Sequence, residues 1–143
     1  MKILVTGDRE WDDIEQIAHT LERILETFQC APRDVTIVHG AARGADTIAG
    51  LVAEELGMEV KSYPAHWRHT DRCPKECKEV IGRPAGVIRN QKMLNDNPDI
   101  DFGIFFHPDL ARSKGTKDMV KRLKKAGIPI LSGTTPVLWS EIE

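Results

Sequence analysis

Three cysteines in 143 residues are an odd number and too few for a disulfide framework, which excludes the small stapled scaffolds of secreted proteins. No apolar run approaches the roughly 20 residues of a membrane-spanning helix, so no membrane partner is expected. Charge of one sign is also missing. Lys and Arg number 20 against 22 Asp and Glu, a formal net charge of −2. A nucleic-acid coat protein would show a strong basic excess, so bulk nucleic acid is an unlikely partner on charge alone. The opening segment from Met1 turns charged at Asp8, so no secretory leader is expected and the cytoplasm is the expected location. Two nucleotide fingerprints are absent: G-x-x-x-x-G-K-[ST], and G-x-G-x-x-G after the first apolar run. Their absence disfavours a P-loop enzyme and a dinucleotide-dependent dehydrogenase of the usual kind. There is no internal repeat and no low-complexity segment.

What is present describes an ordinary globule. Apolar residues make up 41% and charged residues 29%. The length suits one domain, residues 1–143, with a core that needs no staples. The small net charge hides an asymmetry. Residues 1–30 hold three basic and seven acidic residues, whereas residues 111–126 hold seven basic and one acidic.

Strand and helix signals alternate. Lys2–Thr6, Val35–His39, Met58–Tyr63, Asp101–Phe106 and Ile128–Leu131 read as five strands. Between the first two, Ile14, Ile17, Ala18, Leu21, Ile24, Leu25 and Phe28 form one helical stripe, opened by Asp12 and Asp13. Further helices are expected from Ala45 to Leu56, with Gly57 as the stop, from Gly86 to Leu94, and from Thr116 to Ala126. A polar stretch of about twenty residues, 64–84, is a long insertion for a compact domain. The order implies an α/β domain in three layers, a mainly parallel five-stranded sheet with helices on both faces.

In such sheets ligands bind beyond the carboxyl ends of the strands, where strand order reverses. Four segments reach that edge: Thr6, Gly7, Asp8 and Arg9; His39, Gly40, Arg43, Gly44 and Asp46; Arg89 and Asn90; and Arg112, Lys114, Gly115 and Thr116. Glycines at a strand-to-helix turn let the backbone approach an anion, and a helix N-terminus supplies free N–H groups. Arg9, Arg43, Arg89 and Lys114 can add charge-assisted bonds. Asp8 or Asp46 can accept from ribose hydroxyls or a base edge, although Asp46 also reads as a helix cap and each glycine as a plain turn. His39 reads equally as a ligand contact or a satisfied buried group, and Trp11 as a stacking platform or a packing residue.

Thr6-Gly-Asp-Arg-Glu-Trp11, His39-Gly-Ala-Ala-Arg-Gly-Ala-Asp46, Ala85-Gly-Val-Ile-Arg-Asn90 and Lys114-Gly-Thr-Lys-Asp-Met119 together resemble the YspA-like, cpYpsA-related branch of the SLOG superfamily. The resemblance runs from residue 2 to about 131. It implies a Rossmann-like domain that binds a nucleotide or nucleotide-derived ligand, with pairing of copies common among relatives. The superfamily's phosphoribohydrolases cleave the N-glycosidic bond of a nucleoside monophosphate with an Arg in R-K-x-x-M and a Glu in P-G-G-x-G-T-x-x-E. Arg89 matches the Arg and Gly115-Thr116 the Gly-Thr. The double glycine is absent, and the Glu position falls on Met119 with Asp118 one residue earlier. Arg89 and Asp118 are therefore the catalytic candidates, with Asp118 about 100° off the expected helical position. His107, Arg112 and Lys114 stand where the glycine-rich cradle would be.

Within the long loop, His66, His69, Cys73 and Cys77 are spaced H-x2-H-x3-C-x3-C. The donors suit a structural zinc. A Cys73–Cys77 disulfide and two ordinary polar-loop cysteines are the alternatives. Three functions follow in order: a nucleotide-binding sensor or sequestering protein, a phosphoribohydrolase-like enzyme, and a DNA-processing accessory protein using the surface of Lys117, Lys121, Arg122, Lys124 and Lys125.

Overall fold

The computed structural model describes residues 1–65 and 85–133. The His66, His69, Cys73 and Cys77 cluster, Trp67, and the Trp139 and Ile142 tail lie outside the described residues.

Short apolar, β-branched runs put the inner strands between two helical layers. The strands are β1 (Lys2–Gly7), β2 (Thr36–His39), β3 (Glu59–Ser62), β4 (Phe102–Phe106) and β5 (Ile130–Ser132). All neighbours pair in parallel, in the order β3-β2-β1-β4-β5. The helices are α1 (Ile14–Phe28), α2 (Ala45–Leu56), α3 (Ala85–Asp96) and α4 (Gly115–Lys125). This is the α/β, Rossmann-like, five-stranded arrangement expected from the order of elements.

Successive residues of β1 serve opposite layers. Ile3 and Val5 join Ile17, Leu21, Ile24, Ala49 and Ala53 of α1 and α2. Leu4 joins Val38, Met93, Met119 and Leu123, the last three from α3 and α4. Each such fully buried aliphatic stabilises the fold by about 1.5–3 kcal/mol. β3 lies at the sheet edge and is mostly exposed, with Lys61 and Glu59 blunting further pairing.

Several boundaries differ from the sequence reading. Ile14 opens α1 but is 57% exposed, because Asp13 caps the helix through Gln16 N–H at 3.0 Å and the buried stripe begins at Ile17. Thr20 takes an inner position instead, its hydroxyl bonded to the Gln16 carbonyl at 2.8 Å. Pro32–Asp34, which the sequence also reads as a turn, is a 3-10 turn, and the loop after β4 holds a second one, Leu110–Arg112.

The chain runs β1, β2, β3 outward, then returns to place β4 on the other side of β1. Strand order therefore reverses between β1 and β4. Asp8 N–H donates to the Phe106 carbonyl at 2.8 Å and ties the two strand ends together at that point.

Candidate functional site

A cleft of about 530 Å³ opens over this junction. The β1 loop contributes Thr6 to Glu10, and the loop after β4 contributes His107, Ser113 and Lys114. Two helices present their first turns, α3 with Gly86 and Val87 and α4 with Gly115 and Thr116. Asp46, Arg89 and Asn90 form the buried part of the lining.

Local sequence explains how each loop is held. Gly44, before α2, has φ of +79°. A side chain there would collide with the Asp8 and Arg9 backbone. This close approach lets Ala45 N–H donate to the Asp8 carbonyl at 3.1 Å. The first donor of α2 is thus spent inside the protein. At α4 the opposite holds. Ser113 Oγ accepts from Lys117 N–H at 2.8 Å and the Lys114 carbonyl accepts from Asp118 N–H at 3.0 Å. Gly115 and Thr116 N–H have no acceptor among the described residues. A Cβ built on Gly115 meets nothing within 4 Å, so solvent or a ligand can approach these donors.

Arg89 is 8% exposed. Its Nε donates to Asn90 Oδ1 at 2.9 Å, and its Nη1 donates to the Gly40 carbonyl and, at 3.3 Å, to the Tyr63 carbonyl. Nη2 carries no hydrogen bond among the described residues. Asp46 is 5% exposed and accepts from Gly40 N–H at 2.9 Å. Burial pushes its carboxyl up to about 6, against the opposing pull of Arg89, the Gly40 and Ala42 N–H groups, and Arg9. Burial likewise lowers the Arg89 pKa, and Asp46 opposes that shift.

The structure separates the candidates into those on the cleft and those away from it. Thr6, Gly7, Asp8, Arg9, Asp46, Arg89, Asn90, Lys114, Gly115 and Thr116 line it. His39 does not. Its Nδ1 accepts from Ala41 N–H at 2.9 Å and its Nε2 faces Gly50. Burial, then Arg89, lowers its pKa, so it is a neutral group bracing the β2–α2 loop. Arg43 is off the lining of the main cleft and pairs with Glu10, which lines it. Arg112 is 88% exposed and pairs with Asp109 at 3.2 Å, so only Lys114 of that basic pair lines the cleft. Asp118 is also off the lining. Its Oδ2 accepts from Asn90 Nδ2 at 3.0 Å and Arg122 Nε at 2.8 Å, which ties α4 to α3. Trp11 packs against Phe106 with ring centroids 5.6 Å apart, and its Nε1 donates to the Asp13 carbonyl.

The lining also holds Glu10, Ala42, Gly86, Val87, Met93, His107 and Ser113, which lie within or beside the same sequence segments but are not individual binding candidates there. Gly86 and Val87 sit three and two residues before Arg89, so one turn of helix was signal enough for them. Met93 keeps the R-x-x-x-M spacing after Arg89, and that spacing is the sequence signal that marks it.

Comparison with known proteins gives three matches. Residues 1–69 match the model of the YspA, cpYpsA-related SLOG family. The Gene 61 protein of Mycobacterium phage D29 is 29% identical over 136 residues, which cover 92% of this chain and 94% of the phage protein. DNA processing protein A from Streptococcus pneumoniae aligns with a TM-score of 0.61 at 19% identity, over 92% of this chain and 49% of that one. The chain thus spans about half the length of that solved structure, and the likeness is one of fold. The matched residues hold β1 to β3 with both loops that meet at Gly44. Over residues 1–69, the chain is similar to the YspA, cpYpsA-related SLOG family.

Proposed function

We propose that the cleft binds a nucleotide or nucleotide-derived ligand, and that the protein works as a sensor or sequestering protein. One observation carries this reading. The open Gly115 and Thr116 N–H groups start α4 beside Lys114, in a cleft that Arg9 and Arg89 also line. Unspent backbone donors, a helix dipole and a lysine together suit a phosphate. Asp8 adds a carboxylate whose Oδ1 accepts from Glu10 N–H at 3.0 Å, and its Oδ2 can accept from a neutral ligand group such as a ribose hydroxyl.

The state of Asp118 favours binding over glycosidic cleavage. A carboxylate that accepts from both Asn90 and Arg122 is a structural tie, and it is not part of the cleft lining. The test is calorimetry with a panel of nucleoside monophosphates and the parent nucleosides. Binding of a monophosphate at least ten times tighter than its nucleoside is expected, with no ribose 5-phosphate released. Equal binding of both would sink the phosphate assignment. Ribose 5-phosphate release that disappears in Asp118→Asn would establish the hydrolase reading instead. Salt-dependent capture of single-stranded DNA on the exposed Lys121, Lys124 and Lys125 would favour a DNA-processing role.

A further inference from the structure

A second cavity of about 410 Å³ adjoins the cleft. Arg9, Ala42 and Arg89 line both, so the two arginines form part of the wall they share. Among the described residues the polar side chains of the second cavity are three guanidiniums, Arg9, Arg43 and Arg89. The rest of its lining is Gly40, Ala41, Ala42, Pro64 and Ala65. Among the described residues no aromatic ring is there to stack a base, and no carboxylate or amide to read a base edge. Planar forks of N–H donors match the oxygens of a phosphate.

Arg43 and Arg89 can meet such a group without breaking the fold. Arg43 pairs with Glu10, but both side chains are more than 70% exposed, at 74% and 73%. An exposed pair of this kind contributes at most about 1 kcal/mol and exchanges readily. Arg89 keeps Nη2 unbonded among the described residues while Nε and Nη1 anchor it. The carboxylates of Asp8, Glu10 and Asp46 line the first cavity only. The two cavities therefore offer an anion different surroundings: backbone N–H groups and Lys114 beside the shared Arg9 and Arg89 in one, and the same two arginines joined by Arg43, with no carboxylate among the described lining residues, in the other.

We infer that the second cavity holds a second phosphate group, so that the ligand carries two phosphates set apart by a nucleoside. Two ligands have that chemistry, a nucleoside 3′,5′-bisphosphate and a 5′-phosphorylated dinucleotide. A nucleoside diphosphate does not, because its two charges are contiguous. The inference rests on the nucleotide reading above for the position of the first phosphate.

Calorimetry on the full chain tests it with AMP, ADP, adenosine 3′,5′-bisphosphate and 5′-phosphorylated diadenylate. The bisphosphate, the dinucleotide or both should bind at least ten times tighter than AMP, and ADP should not. Gain with both assigns a terminal or bridging phosphate to the second cavity, and gain with the dinucleotide alone assigns the bridging one. Arg43→Ala and Ala65→Trp, the second filling the cavity, should each bring the affinity ratio to AMP towards one. Circular dichroism of both variants checks that they fold. If AMP binds and the separated phosphates add nothing, or if ADP shows the same gain, the inference fails and the nucleotide reading stands. If none of the four binds, both fail.

Discussion

Asp46 and Gly44 show how much one residue decides in this protein. The Asp46 carboxyl has an ordinary value of 3.8 and rises to about 6 in the fold, chiefly through burial. Between those two values the native state binds more protons at this group than the unfolded chain does. Its contribution to stability is therefore full below pH about 4 and lost as pH rises through about 6. His39 acts in the opposite sense. Its lowered pKa favours the fold at neutral pH and that contribution is lost on acidification. The comparison of Asp46→Asn with the wild-type chain cancels the histidine. Urea unfolding at pH 4 and pH 7 should show the difference moving in favour of the variant at the higher pH, by up to about 3 kcal/mol. A difference that does not change with pH would contradict the burial argument. At Gly44 the positive φ and the neighbouring Asp8 and Arg9 backbone both oppose a side chain. Gly44→Ala should cost about 2 kcal/mol or more, read as a lower urea midpoint at unchanged m-value.

At the scale of elements, two glycine-led helix starts that look alike in sequence differ in use. Ala45 N–H at the start of α2 is bonded to the Asp8 carbonyl, whereas Gly115 and Thr116 N–H at the start of α4 are open among the described residues. Gly115 has space for a methyl group and a φ outside the left-handed region. Gly115→Ala should therefore leave the urea midpoint unchanged or slightly raised, since alanine is the better helix former. The added methyl stands where the ligand would approach, so nucleotide affinity should fall about tenfold or more in the same protein. Loss of stability together with affinity would mean that the glycine serves the fold alone. α3 acts as a strut. Arg89 reaches the β2 loop through Gly40, and Asn90 reaches α4 through Asp118 and the Gly115 carbonyl at 3.3 Å. Asn90→Leu would leave Asp118 without one of its two donors and the Gly115 carbonyl without its partner. It should cost about 1–3 kcal/mol by chemical denaturation and loosen both walls of the cleft.

For the whole molecule, the distribution of charge matters more than its sum. A net charge of −2 averages an acidic α1 end with a cleft whose lining includes Arg9, Arg89 and Lys114. A ligand that binds only the folded chain should stabilise all of it. At one hundred times its Kd the gain is about 2.7 kcal/mol, which shifts Tm by several degrees in a domain of this size. Thermal unfolding with the tightest nucleotide of the panel should show that shift, and 0.5 M salt should reduce it if phosphate contacts dominate. Among the described residues no helix is long and apolar enough to cross a membrane.

Periodicity in the sequence determined the elements and their order, because a run such as Lys2–Thr6 and a stripe such as Ile17, Leu21 and Ile24 follow from local geometry alone. From that order came the parallel sheet, and from the sheet the edge where Gly7, Asp8, Arg89 and Gly115 lie. Local pattern carries no information on which donors are already bonded. His39, Arg43, Arg112 and Asp118 share that edge's chemistry, yet they are occupied by Ala41, Glu10, Asp109 and the Asn90–Arg122 pair. Each of these partners except Ala41 and Asp109 is distant in the chain or on another turn of helix. Only the folded chain brings them together, and so only the tertiary structure decided which polar groups hold the protein and which remain for a ligand.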